Sequence, residues 1–143
     1  MNIETKRSIL VVESYPPERE NIQRILASRD FAVEAVSDYQ GAVKVLAVRI
    51  PHLVCLDLAL PRESGFELCE YMQRDMKLRL VPILVMSDRS SPEDMAHAEH
   101  VGANAFLKKP FTRERLVKYV NTLLDGPHAS RPSVRRLRRS EAP

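Results

Sequence analysis

Four residues far apart in the chain, Glu13, Asp57, Ser87 and Lys109, carry groups suited to a single reaction centre. Each stands at or just after the end of a short apolar run. Leu53-Val54-Cys55-Leu56 ends in the lone carboxylate of Asp57 and is followed at once by the turn-forming Leu60-Pro61-Arg62-Glu63-Ser64-Gly65. Ser8-Ile9-Leu10-Val11-Val12 leads into Glu13-Ser14, and Val81-Pro82-Ile83-Leu84-Val85-Met86 leads into Ser87-Asp88. A shorter run, Ala103-Asn104-Ala105-Phe106-Leu107, leads into Lys108-Lys109-Pro110. A wholly apolar strand suits a parallel sheet covered on both faces, and in open α/β sheets ligands sit beyond the carboxyl ends of the strands. As neighbouring parallel strands, these runs bring two carboxylates, a hydroxyl and an amine to one rim.

The segments between the runs must then be helices that hold the strands parallel. Pro16-Pro17-Glu18 can open a helix, since proline suits the first turn and an acid favours the positive end of the dipole; Ile22, Ile25 and Leu26 fall on one face. Residues 31–36, Phe31 to Val36, read as another strand. Asp38 can cap a helix whose Ala42, Val45 and Leu46 repeat the inward spacing, with Ile50-Pro51 as its end. After Gly65, Phe66, Cys69 and Met72 form a stripe that runs to about Asp75. Ser91-Pro92-Glu93-Asp94 combines a cap, a first-turn proline and acids, and its helix should stop near Gly102. Thr112 can cap the last helix, with Leu116, Val120, Leu123 and Leu124 facing inward before Asp125-Gly126-Pro127. The alternation predicts an α/β fold with a doubly wound, five-stranded parallel sheet, helices on both faces and the flavodoxin-like strand order 2-1-3-4-5.

At 143 residues, with 44% apolar and 29% charged residues, the chain fits one domain of ordinary globular composition. No window approaches the roughly 18 apolar residues of a membrane span. The opening Met1-Asn2-Ile3-Glu4-Thr5-Lys6-Arg7 runs into a stretch too short for a secretory signal, so a cytoplasmic location is expected. Cys55 and Cys69 lack a paired metal or redox spacing and read as buried small hydrophobes. The net charge is +3, but Arg131, Arg135, Arg136, Arg138 and Arg139 against Glu141 give residues 126–143 a charge of 5 − 1 = +4 and leave 3 − 4 = −1 for residues 1–125. That division predicts a folded domain over 1–125 and a basic, disordered tail over 126–143. The tail could touch nucleic acid, anionic lipid or an acidic partner, although a solvated tail is the simpler reading; beyond it, no nucleic-acid contact is expected.

The order and spacing of these pieces resemble the receiver domain of two-component response regulators over about residues 7 to 125. The matching motifs are Ile9-Leu10-Val11-Val12-Glu13, then Leu56-Asp57-Leu58-Ala59-Leu60-Pro61 with Gly65, then Pro82-Ile83-Leu84-Val85-Met86-Ser87, then Lys109-Pro110-Phe111. The resemblance implies that Asp57 accepts a phosphoryl group from a phosphohistidine on a sensor histidine kinase or phosphotransfer protein. It further implies that Lys109 pairs with a phosphoryl oxygen, that Ser87 donates to another, and that Mg2+ is held by Glu13, Asp57 and the backbone carbonyl of Ala59. Phe106 is then either plain core or the aromatic switch that follows Ser87. Output would pass to a downstream protein target through the surface of the fourth helix, fifth strand and fifth helix, from a stand-alone unit; homodimerisation stays open. Such a module is not an enzyme beyond its own phosphoryl transfer and autodephosphorylation.

Two departures bear on this expectation. Receivers usually carry two adjacent acids after the first strand, and here the second is Ser14, whose neutral hydroxyl is a poor ligand for a hard cation. Losing one charge about 4 Å from the metal costs up to roughly 4 kcal/mol at an effective dielectric of about 20, so weakened Mg2+ binding is expected unless the longer Glu13 reaches in. Asp88 stands where the family has a small residue, and could repel the phosphoryl group or face solvent. These departures motivate the alternative of a pseudo-receiver, a phosphorylation-independent docking module. A flavin-binding protein of the same architecture would need a Ser/Thr-rich loop after the first strand, which is missing. Lys108 should face away from the rim by strand alternation. His97 and His100, three apart on a helix, have no third ligand nearby and read as an exposed polar face.

Overall fold

A computed structural model of the chain describes residues 6–126. Strands and helices alternate as β1 (Ser8–Val12), α1 (Pro16–Ala27), β2 (Ala32–Val36), α2 (Tyr39–Leu46), β3 (Leu53–Asp57), α3 (Gly65–Gln73), β4 (Ile83–Ser87), α4 (Pro92–His100), β5 (Ala105–Lys108) and α5 (Arg113–Asp125). The strands are all parallel, in the order β2-β1-β3-β4-β5. Apart from Gly126, the basic tail lies outside the described residues, as does Leu137 with its flanking arginines.

Strand alternation splits the core into two layers. Leu10, Val12, Val54, Leu56, Ile83 and Val85 pack with Ala42 and Leu46 of α2, Leu68, Cys69 and Met72 of α3 and Ala98 of α4. Ile9, Val11, Leu53, Cys55, Leu84 and Met86 pack with Ile22, Ile25 and Leu26 of α1 and with Leu116, Val117, Val120 and Leu123 of α5. Every residue of β3 and β4 is buried, because the central strands are covered on both sides. Each fully buried aliphatic side chain contributes about 1.5–3 kcal/mol relative to exposure, and the result is a rigid platform whose carboxyl rim is fixed by the register.

The helix starts follow the expected chemistry. The Asp38 side chain accepts from the Gly41 amide at 2.8 Å, Ser91 and Asp94 form a reciprocal capping box, and Thr112 accepts from the Arg115 amide at 3.1 Å. Several boundaries differ from expectation, among them the start of β2, at Ala32 rather than Phe31. Helix α2 ends at Leu46, four residues before Ile50; Pro51 drives the residue before it out of the helical region, and the chain unwinds through the Val45 carbonyl, which accepts from both Val48 and Arg49. Strand β4 starts at Ile83 rather than Val81. Strand β5 starts at Ala105 because buried Asn104 turns its side chain onto the backbone: Asn104 Oδ1 accepts from the Ile83 amide at 2.8 Å.

Gly65 fixes the geometry behind Asp57. A Cβ placed there would meet the Asp57 carbonyl oxygen at 2.7 Å and Leu58 Cα at 2.8 Å, so only glycine lets α3 begin directly against the end of β3. Gly102 ends α4 with φ +116°, as a left-handed terminus requires. No helix of the described residues is long and apolar enough to cross a membrane.

Candidate functional site

The β1, β3 and β5 ends converge on one ammonium group. Lys109 Nζ donates to Asp57 Oδ2 at 2.6 Å, to Glu13 Oε1 at 3.1 Å and to Glu18 Oε1 at 2.5 Å. An ammonium has three donors and no acceptor, so all three are satisfied by carboxylates. The lysine side chain is 12% exposed, Glu13 1% and Asp57 8%, whereas Glu18 is 43% exposed. With three acids around one largely buried base, removal of the lysine leaves the buried Glu13 and Asp57 carboxylates without a counter-charge.

Backbone pairing places each group. The Glu13 amide donates to the Val36 carbonyl and the Lys109 amide to the Ser87 carbonyl, which carries the β1–β2 and β4–β5 pairing one residue past the strand ends. Asp57 Oδ1 accepts from the Ala59 amide at 2.9 Å, which turns Oδ2 toward Lys109. Glu13 Oε2 accepts from the Tyr15 amide at 3.2 Å. Arg19 Nη1 donates to the Glu13 carbonyl at 2.9 Å and the Ser14 carbonyl at 3.2 Å, clamping the first turn of α1 to the end of β1. That clamp brings Glu18 over the rim.

Burial pushes the Glu13 carboxyl up to about 7, aided by the Asp57 carboxylate beside it and opposed by Lys109. Burial alone would lower Lys109, but its hydrogen bonds to Asp57 and Glu18 outweigh that and hold the amine above the ordinary lysine value. Burial also pushes the Cys55 and Cys69 thiols up to about 12, so both stay protonated in the core.

Of the four residues singled out by sequence, Glu13, Asp57 and Lys109 meet directly. Ser87 is on the same rim and 1% exposed, but its Oγ accepts from the Arg89 amide at 2.9 Å, which holds it on its own loop. Ser14 Oγ donates to the Ala59 carbonyl at 3.4 Å, a long contact that leaves it outside the carboxylate cluster. Phe106 is 9% exposed and packs in the layer under α2, α3 and α4. Asp88 and Lys108 are exposed. His97 is exposed yet engaged: its ring stacks on Phe66 with centroids 3.8 Å apart. Glu18 is the residue that sequence reading assigned only to the helix dipole. Its position, in the first turn of a helix that starts three residues after Glu13, was the available signal.

The donor set suits a hard divalent cation. Glu13, Glu18 and Asp57 each offer a carboxylate oxygen, and these lie within 4.8 Å of one another; oxygen ligands on this scale are what Mg2+ takes. Ala59 is tied to the cluster by its amide, which donates to Asp57 Oδ1, while its carbonyl accepts from Ser14.

The family model for the response regulator receiver domain matches residues 9–121. The chain is 31% identical over 118 residues to the phosphate regulon transcriptional regulatory protein PhoB of Escherichia coli (strain K12), a match spanning 82% of this chain and 52% of that protein. The chain therefore spans about half the length of that curated relative. Among solved structures, the chemotaxis response regulator CheY4 of Vibrio cholerae superposes with a TM-score of 0.80 at 26% identity, covering 84% of this chain and 100% of that one. The receiver domain of a sensor histidine kinase from Pseudomonas aeruginosa, solved with a magnesium ion coordinated in its active site cleft, gives a TM-score of 0.78 at 25% identity over 84% of this chain and 98% of that one.

Proposed function

The chain belongs to the response regulator receiver domain family, and from that premise we propose that Asp57 accepts a phosphoryl group from the phosphohistidine of a sensor histidine kinase or phosphotransfer protein. The observation that carries this reading is the 2.6 Å hydrogen bond from Lys109 Nζ to Asp57 Oδ2 at the end of β3. Phosphoryl transfer asks a protein for positioning and charge stabilisation rather than covalent help. An Asp57 oxygen attacks phosphorus in line; the P–N bond breaks and its electron pair stays on the departing imidazole. Lys109 pairs with a phosphoryl oxygen as the anion arrives. A Ser87 hydroxyl has one proton to donate as well as lone pairs to accept, so it can bond a second phosphoryl oxygen while keeping the Arg89 amide. Glu13, Asp57 and the Ala59 carbonyl would hold Mg2+, which when bound would supply charge neutralisation between the carboxylate and the incoming anion.

The new charge then draws Ser87 and Lys109 toward the phosphoryl group and biases a two-state surface made by α4, β5 and α5. Phe106, paired with Val85 in the β4–β5 register, is placed to pass on a movement of Ser87 two residues along β4. The receiver unit of this proposal covers residues 1–125, with 126–143 as a basic appendage, acting in the cytoplasm on a downstream protein target. Incubation with a small phosphodonor and Mg2+, followed by intact mass measurement, tests the acceptor. One added phosphoryl group is expected for the wild type and none for Asp57→Asn; an adduct that survives the substitution defeats the assignment.

The second reading is a pseudo-receiver that docks a partner without phosphorylation, and the displaced Ser14 hydroxyl favours it. A protein that binds no Mg2+ at millimolar concentration and takes up no phosphoryl group would establish that reading instead.

A further inference from the structure

The rim holds three carboxylates around one lysine, two more than it can balance, and this surplus sits beside the position where Ser14 replaces an acid. We propose that Glu18, from the first turn of α1, supplies the carboxylate that Ser14 lacks, so that Glu13, Glu18 and Asp57 together form the Mg2+ cradle of this receiver. This inference rests on the receiver reading and adds one ligand to it.

Charge and geometry support the assignment. Once Glu13 is ionised, above about pH 7 in the absence of metal, three carboxylates against one ammonium give the cluster −3 + 1 = −2, the complement of a divalent cation. Arg19, the guanidinium next in sequence, directs its Nη1 to the backbone carbonyls of Glu13 and Ser14 rather than to these carboxylates. Opposite ligands of an octahedral Mg2+ stand about 4.2 Å apart, twice a bond of about 2.1 Å, and the three carboxylate oxygens already lie within 4.8 Å. Glu13 and Asp57 are fixed by burial, while Glu18 is 43% exposed; all three now share Lys109 Nζ, and a bound cation would draw Glu18 from its 2.5 Å bond to that ammonium. The serine hydroxyl is turned to the Ala59 carbonyl and contributes no charge. Glu18 therefore restores the number of acids through a helix rather than through the strand end.

Mg2+ titration of the full chain by calorimetry, repeated with Mn2+ by paramagnetic resonance, reads binding directly and needs no phosphorylation. Glu18→Gln should weaken Mg2+ binding at least tenfold, Glu20→Gln on the exposed side of the same turn should leave it within twofold, and Ser14→Asp should recover the affinity in the Glu18→Gln background. Circular dichroism on each variant confirms the fold. Wild-type binding that stays within twofold in Glu18→Gln overturns the Glu18 assignment and leaves the receiver reading standing. Absence of wild-type binding at millimolar metal overturns both, and loss in Glu18→Gln without recovery by Ser14→Asp overturns the claim that the two positions exchange one charge.

Discussion

Two of the places where carboxylates meet cations differ above all in depth. On the outer edge of the sheet, Arg49 reaches from the end of α2 to Glu34 on β2 and makes three hydrogen bonds of 2.8 to 3.2 Å, with side chains 59% and 43% exposed. On the carboxyl rim, Lys109 makes three bonds of comparable length while 12% exposed, two of them to acids exposed by 1% and 8%. Water screens the first pair and pulls both side chains outward, so its geometry contributes little. At the rim the same contacts are desolvated, the charges cannot be re-hydrated when one is lost, and the arrangement becomes responsive to protons, cations and anions. Depth, more than the number of hydrogen bonds, separates a surface ornament from a chemical centre.

The largest expected effect follows from removing the buried cation. Lys109→Met leaves three acids facing one another, and a urea titration in chelator at pH 7 should show a loss of about 3–5 kcal/mol; a loss below about 1 kcal/mol would put the rim in the same class as the edge pair. The proton dependence comes next. Glu13 has a folded-state value of about 7 against an ordinary 4.5, so between those values the folded protein keeps a proton that the unfolded chain has released. Its contribution is complete below pH 4.5 and is lost as the pH rises through 7, by up to about 3 kcal/mol in the absence of metal. Denaturation midpoints measured across that range should fall with pH, and Glu13→Gln should flatten the slope.

Gly65→Ala tests positioning without touching a charge. Because its Cβ meets backbone atoms at 2.7 and 2.8 Å, α3 must move away from Asp57, at a cost of about 1–3 kcal/mol. Phosphoryl uptake should slow together with that loss; uptake at the wild-type rate would show that Asp57 does not depend on the start of α3. The smallest effect belongs to the outer edge, where Arg49→Met should cost less than about 1 kcal/mol and leave Mg2+ affinity unaltered in the same calorimetric assay.

What sequence made legible follows the same division by depth. Strands β1 and β3 were readable to their ends because a run buried on both faces admits no polar residue until it reaches the rim, and the first polar residue there, Glu13 or Asp57, is the one that meets Lys109. The caps of α2, α4 and α5 were readable because Asp38, Ser91 and Thr112 act on amides three residues away. The start of β5 was not, since Asn104 looks like a strand residue until its amide is seen to bond Ile83, 21 residues earlier. Glu18 was the larger omission. Its partner Lys109 is 91 residues away, and a first-turn acid already has a sufficient local explanation in the helix dipole. Local chemistry is written in adjacent residues, whereas a fourth group at a shared rim is visible only after the strands are in register.

The most direct measurement is to locate the modification itself. The chain is incubated with a small phosphodonor and Mg2+, the acyl phosphate is trapped by borohydride reduction, and the reduced residue is mapped by peptide mass spectrometry. The label should fall on Asp57 alone and disappear when Mg2+ is chelated. Label on Glu13, Glu18 or any other carboxylate, or uptake at Asp57 that is indifferent to the metal, would contradict the account.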